Sequence, residues 1–132
     1  MKYMLDTNIC IYIIKKRPIH IIQTLQQYDI GDLCISSIVV AELEYGIAKS
    51  SKPQENRFSL MEFLAPFEII DFDEKAAKAF GEIRANLEKQ GKVIGPFDLQ
   101  IAAHALSNDY VIVTNNVKEF ERVDGLKVVN WV

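Results

Sequence analysis

Two apolar patterns alternate along this chain. Short, mostly apolar runs stand at residues 2–5, 33–35, 67–70, 111–113 and 128–129, and none shows a strict in-and-out alternation. Such runs predict strands buried on both faces, as in a parallel sheet covered by helices. Longer segments between them carry helical spacing. Ala76, Phe80, Ile83 and Leu87 recur at intervals of four, three and four residues, one apolar stripe of a long helix. Helices are likewise expected from Thr7–Asn8 through Ile14, from Pro18 to Leu25, and over residues 38–49, 53–64 and 97–108.

The punctuation agrees with this division. Thr7 and Asn8 supply side-chain oxygens for a first helix start, and Ser36 and Ser37 do so after the second strand. Asp71, three residues before Glu74, has the spacing of a capping box, and Gly91 ends the helix that follows. Gly95-Pro96 opens the next one. Strands alternating with helices, without repeat, low-complexity tract or dividing linker, imply one α/β domain over residues 1–132 with a parallel sheet of about five short strands.

Against this apolar frame, a few polar residues stand out by position. Asp6 directly follows the first strand, Thr114-Asn115-Asn116 follow the fourth, and Glu119 lies three residues beyond Asn116. Glu42 sits inside the helix after strand two, and Asp98 opens the helix leading into strand four. In open parallel sheets, ligands bind beyond the carboxyl ends of the strands, where all of these residues can meet. Helical neighbours of Asp98 are Ile101, Ala102 and Ala105, which aims the carboxylate inward, while its place at a helix start equally suits a carboxylate that caps backbone N–H groups; Gln100, His104 and Asn108 form a polar stripe on another side. Glu42 and Glu44 have equally apolar surroundings, so periodicity does not separate them. A buried carboxylate costs several kcal/mol unless it is paired or holds a metal. Either remote Lys and Arg side chains fold back onto these acids, or the acids share a divalent cation; too few basic residues lie nearby in sequence, which favours the cation.

Composition narrows the class. A chain with 49% hydrophobic and 25% charged residues is ordinary for a water-soluble globular domain. The early apolar run at 9–14 is far shorter than the roughly 20 residues of a membrane span, and it precedes Lys15-Lys16-Arg17, the reverse of a secretory signal. A cytoplasmic protein is expected. Cys10 and Cys34 lie in apolar contexts without metal-binding spacing and read as buried free thiols. A net charge of −3 does not suggest a simple polyanion binder, but cation loading of the carboxylates would turn the balance slightly positive. His20 and His104 read as surface residues. No phosphate-binding loop, dinucleotide glycine pattern or nucleophile elbow occurs.

Taken together, Met4-Leu-Asp6-Thr-Asn8, Ser36-Ser37 with Glu42-Leu-Glu-Tyr-Gly46, Gly95-Pro-Phe-Asp98-Leu-Gln-Ile-Ala-Ala103 and Val113-Thr-Asn-Asn116 with Glu119-Phe120 closely resemble a PIN-domain VapC toxin. The likeness extends to the closing Asn130-Trp131. It implies a PIN-like three-layer domain and an Mg²⁺-dependent endoribonuclease, with Mn²⁺ as a substitute. It also implies a toxin–antitoxin pair in which a VapB-like protein wraps the toxin, a homodimer within a larger hetero-oligomer, and RNA as substrate, often tRNA. By motif position, Asp6, Glu42 and Asp98 correspond to the metal-binding carboxylates. Asn116 stands where many such domains have a fourth acid, and Glu119 is the candidate to supply that charge. Thr7 and Thr114 are expected to orient carboxylate oxygens. Two other readings follow from the same residues: a non-catalytic partner-binding domain of the same fold, and a phosphatase-like enzyme with Asp6 as nucleophile.

Overall fold

The computed structural model describes residues 1–132. Five strands, β1 (Tyr3–Leu5), β2 (Leu33–Ser36), β3 (Glu68–Ile70), β4 (Val111–Val113) and β5 (Val128–Val129), form one sheet in the order β3-β2-β1-β4-β5. Every neighbouring pair is parallel, with Met4 opposite both Cys34 and Ile112. Seven helices cover it: α1 (Thr7–Lys15), α2 (His20–Leu25), α3 (Ser37–Ala48), α4 (Pro53–Leu64), α5 (Glu74–Gln90), α6 (Pro96–Ser107) and α7 (Val117–Phe120). None is long and apolar enough to cross a membrane.

The sheet is built outward from β1. The chain lays β2 and β3 on one side, then returns through α5 and α6 to place β4 and β5 on the other. The direction of winding therefore reverses between β1 and β4, and a crevice opens at the carboxyl ends of those two strands. Met4, Leu5, Cys34, Ile35, Ile112 and Val113 are fully buried, as unalternated strands between two helical layers should be. Each large apolar side chain so enclosed contributes about 1.5–3 kcal/mol. Both thiols are free; burial pushes Cys34 up to about 12 and Cys10 well above its ordinary value, so neither is a nucleophile.

Helix ends differ in detail from the sequence expectation. Asp6 itself caps α1, its Oδ1 accepting from the Ile9 N–H at 2.9 Å, so the helix begins at Thr7. Asp73, not Asp71, caps α5, accepting from the Ala76 N–H at 3.0 Å. Two acids close together in sequence can each satisfy the exposed N–H groups, and the exit direction of β3 selects the later one. Ser36 caps α3 as expected, and Gly91 ends α5 with φ +69°, a left-handed conformation open to glycine at little cost.

Candidate active site

Asp6 stands at the point where the winding reverses. Its backbone N–H donates to the Val113 carbonyl across the β1–β4 junction, which seats it at the head of the crevice. The residue is only 2% exposed. Its two oxygens are separately engaged: Oδ1 accepts from Ile9 N–H, and Oδ2 accepts from the Thr114 hydroxyl. Burial raises the carboxyl to about 6, the nearby charges of Asp98 and Glu42 add to the rise, and the Thr114 and Ile9 donors oppose it.

Glu42 reaches the same crevice from α3, where its Oε1 accepts from the Thr7 hydroxyl at 3.0 Å. Glu44, two residues on and so turned through about 200°, pairs instead with Arg57 of α4 at 2.7 Å. Tertiary packing thus separates two glutamates that periodicity could not. Asp98 lies in the first turn of α6 and is half-buried. Its pKa is raised, first by burial and then by Glu119 and, more weakly, Glu42.

Asn116 connects the acids. Its side-chain NH₂ donates to Asp98 Oδ2 at 3.3 Å and to Glu119 Oε2 at 2.7 Å, and its backbone N–H donates to Thr114 Oγ1 at 2.9 Å. Thr114, fully buried, donates its own hydroxyl hydrogen bond to Asp6 Oδ2. Glu119 uses its other oxygen to accept from the Gly95 N–H at 2.6 Å, just before α6, and this bond is the main reason its pKa falls. The amide therefore acts here as a donor strap between two acids. With both oxygens engaged, Glu119 anchors the start of α6 beside Asp98.

No salt bridge neutralises these acids, and Arg122 is the one basic group that acts on any of them, helping to lower Glu119. The ion pairs of the protein are Lys2–Glu68, Arg57–Glu44, Arg84–Glu88 and Lys127–Asp109, and none includes Asp6, Glu42, Asp98 or Glu119. Nor do three acids close into a tight cage: no three His, Cys, Asp or Glu side chains are gathered closely enough to enclose an ion as they stand. Glu42 Oε2 and Asp98 Oδ1 are free of protein donors. Mg²⁺ retains several waters and takes only one or two carboxylates in such sites, so the donor set fits it without a cage.

Three features lie outside the sequence reading. His104 is fully buried rather than on a polar surface stripe, and its Nδ1 lies 2.8 Å from Ser36 Oγ. Residues Ile101, Ala102, Ala103 and Ala105 are also fully buried, so α6 is enclosed on nearly every side; the run of alanines and isoleucine around His104 was the signal. His20 is exposed, as expected. Asn115, next to Thr114, donates to the Tyr12 hydroxyl at 3.1 Å and so ties the β4 end to α1. Beside Glu42, an apolar groove of about 410 Å³ runs between α1, α3 and α4, lined by Ile11, Ile14, Leu43, Ile47 and Leu60.

Desolvated, mutually repelling carboxylates at the switch point of a parallel sheet are the arrangement of a nuclease-type α/β domain. The chain belongs to the PIN domain family, which it matches over residues 3–126. Its relatives within that family are VapC ribonucleases. It is 51% identical over 132 residues to Ribonuclease VapC2 of Haemophilus influenzae, covering 100% of this chain and 99% of that one. It is 45% identical over 131 residues to the tRNA(fMet)-specific endonuclease VapC of Shigella flexneri, covering 99% and 98%. Among solved structures, DNA-bound VapBC from Salmonella typhimurium superposes with a TM-score of 0.94 at 43% identity, covering 100% of this chain and 99% of that one. VapBC2 from Rickettsia felis, bound to a promoter DNA fragment, gives 0.92 at 44% identity with both chains fully covered.

Proposed function

We propose that this protein is a VapC-type toxin, an endoribonuclease that depends on Mg²⁺ or Mn²⁺ and is held inactive by a VapB-like antitoxin. One observation carries the metal reading: Asp6 is buried beside two further carboxylates with no Lys or Arg paired to any of them. Such a cluster is stable in its ionised form only when something positive joins it.

Asp6 and Asp98 would hold the cation, with Glu42 ligating it or orienting the attacking water. Bound there, the cation would supply Lewis acidity, easing deprotonation of water and offsetting charge on the phosphate oxygens. The protein's own contribution is orientation. Thr114 and the Ile9 N–H fix both oxygens of Asp6, Thr7 fixes one oxygen of Glu42, and Asn116 holds Asp98 against Glu119. The neutral amide at Asn116 leaves one negative charge fewer than a fourth acid would, which favours a single cation. Names of the relatives support tRNA as the substrate, the initiator tRNA above all.

Names of the structural neighbours support the antitoxin. Glu42 is one of the residues lining the apolar groove between α1, α3 and α4, so a segment seated in it would touch that acid. RNA cleavage with Mg²⁺, Mn²⁺ or chelator, comparing the wild type with Asp6→Asn and Asp98→Asn, tests the chemistry. Loss of cleavage with chelator and in both variants is expected; cleavage without metal, or full activity in both variants, overturns it. Co-expression with the neighbouring small open reading frame should relieve toxicity, and cells tolerating high levels of free, folded protein would refute the toxin role.

A further inference from the structure

Ser36 and His104 form a buried polar contact outside the acidic crevice. Ser36 closes β2 and caps α3, the helix that carries Glu42; its Oγ accepts from the Ile38 N–H at 3.1 Å. His104 sits on α6, the helix that carries Asp98. Both residues are 0% exposed, and their side chains meet at 2.8 Å. Burial pulls the imidazole below its usual pKa, so it is neutral at pH 7 and one ring nitrogen must accept. The assignment that satisfies the Ser36 hydroxyl has it donating to Nδ1 while accepting from Ile38, which places the ring proton on the buried, unpartnered Nε2. The imidazole is fixed further by the edge of Phe72, whose ring centre lies 5.4 Å away. Phe72 in turn gives its backbone N–H to Ser37 Oγ at 3.0 Å, binding the same corner a second time.

We propose that the Ser36–His104 bond is a strut that sets the relation of α3 to α6, and thereby the spacing of Glu42 and Asp98 on which cation binding depends. This rests on the metal-dependent reading above. Glu42 lies six residues after Ser36, and Asp98 lies six residues before His104. At 1.5 Å per residue each lever arm is about 9 Å. A 10° turn of either helix about the strut therefore moves its carboxylate by about 1.5 Å. Errors of about 1 Å in a reacting assembly cost on the order of 100-fold. Leu99 and Ile101 pack α6 into the core beside the small Ala102, Ala103 and Ala105, but apolar contact is non-directional and fixes no angle by itself. A hydrogen bond between two buried polar groups does set one, because leaving either unpaired is costly. Both residues are positioning residues and touch neither substrate nor cation.

The test uses full-length toxin with three substitutions. Ser36→Gly removes the hydroxyl while glycine still serves as a helix cap nearly as well as serine. His104→Phe removes the acceptor, and His104→Gln restores a polar partner. Mn²⁺ binding is followed by calorimetry, RNA cleavage is separated into kcat and KM, and backbone amide NMR shifts are recorded in metal-free protein. Ser36→Gly and His104→Phe are expected to weaken Mn²⁺ binding about tenfold and lower kcat by 10- to 100-fold, with KM for RNA within twofold. In the metal-free protein, their amide shifts should reach both Glu42 and Asp98. His104→Gln should recover most of the Mn²⁺ affinity. A lower melting temperature with unchanged Mn²⁺ affinity and kcat, or shifts confined to the neighbours of residues 36 and 104, overturns the strut. Should His104→Phe fail to fold, Ser36→Gly decides the outcome alone. If the wild type neither binds Mn²⁺ nor cleaves RNA, the functional reading fails, while the metal-free shifts still decide whether the two helices are coupled.

Discussion

Replacing Asp6 by Asn should make the metal-free protein more stable at pH 7 while abolishing cleavage. In the folded protein the Asp6 carboxyl sits at about 6, against 3.8 for the free group. The folded state holds this proton more tightly than the unfolded chain does, so stability falls as pH rises from about 4 to about 6 and then levels off. At 1.36 kcal/mol per pKa unit, the ionised carboxylate costs the fold about 3 kcal/mol at neutral pH. Asparagine has the same shape, keeps an oxygen for the Ile9 N–H and carries no charge. The Thr114 hydroxyl must turn to accept from the new NH₂, which offsets part of the gain. A net stabilisation of about 2 kcal/mol is expected, worth roughly 6–8 °C in Tm for a domain of this size. The assay is thermal unfolding of both proteins in chelator between pH 4 and pH 8. The two curves should converge near pH 4 and separate through pH 6. Adding Mn²⁺ at about 100 times its Kd should then raise the wild type by about 2.7 kcal/mol and leave the variant unmoved. A variant equally or less stable at pH 7, or a difference that does not vary with pH, would refute the claim that Asp6 is a strained, cation-awaiting charge.

Three other substitutions probe the same network. Thr114→Val removes the donor to Asp6 Oδ2; losing a hydrogen bond to a charged group, worth about 1.5–3 kcal/mol, should push Asp6 further above 6 and move the pH midpoint of Mn²⁺ binding upward by at least one unit, read by calorimetry across pH. Asn116→Asp replaces the donor strap between Asp98 and Glu119 with a third negative charge; it should raise the Asp98 pKa further, lower metal-free stability and increase the number of Mn²⁺ ions bound per chain, and unchanged stoichiometry would count against Asn116 as the limit on metal number. Asp73→Ala removes the α5 cap and should cost about 1 kcal/mol in denaturant unfolding; an unchanged unfolding midpoint would show that this cap contributes nothing to stability.

Much of the architecture follows from local pattern. The five apolar runs are the five strands within a residue or two, and the stripe Ala76, Ile83 and Leu87 is the buried face of α5. Each reading rests on burial with a fixed period, which linear spacing encodes directly. Positions of Asp6 and Asp98 at the start of helices were legible for the same reason. Helix caps were less so: Asp71 and Asp73 are chemically equivalent, and only the path of the chain after β3 gives the role to Asp73.

What the chain determines without its folded shape is therefore the alternation of strands and helices, the parallel sheet, and the presence of acids where apolar strands end. Periodicity acts over a few residues, and those decisions are made over a few residues. Which of Glu42 and Glu44 faces the crevice, that Asn116 offers its NH₂ and not its oxygen, and that His104 is enclosed were decided only by contacts between segments far apart in sequence. Thr7 to Glu42 spans 35 residues, Ser36 to His104 spans 68, and Asp6 to Thr114 spans 108. Hydrogen bonds and charge repulsion depend on separations of a few ångströms in space, a quantity that no local spacing along the chain carries.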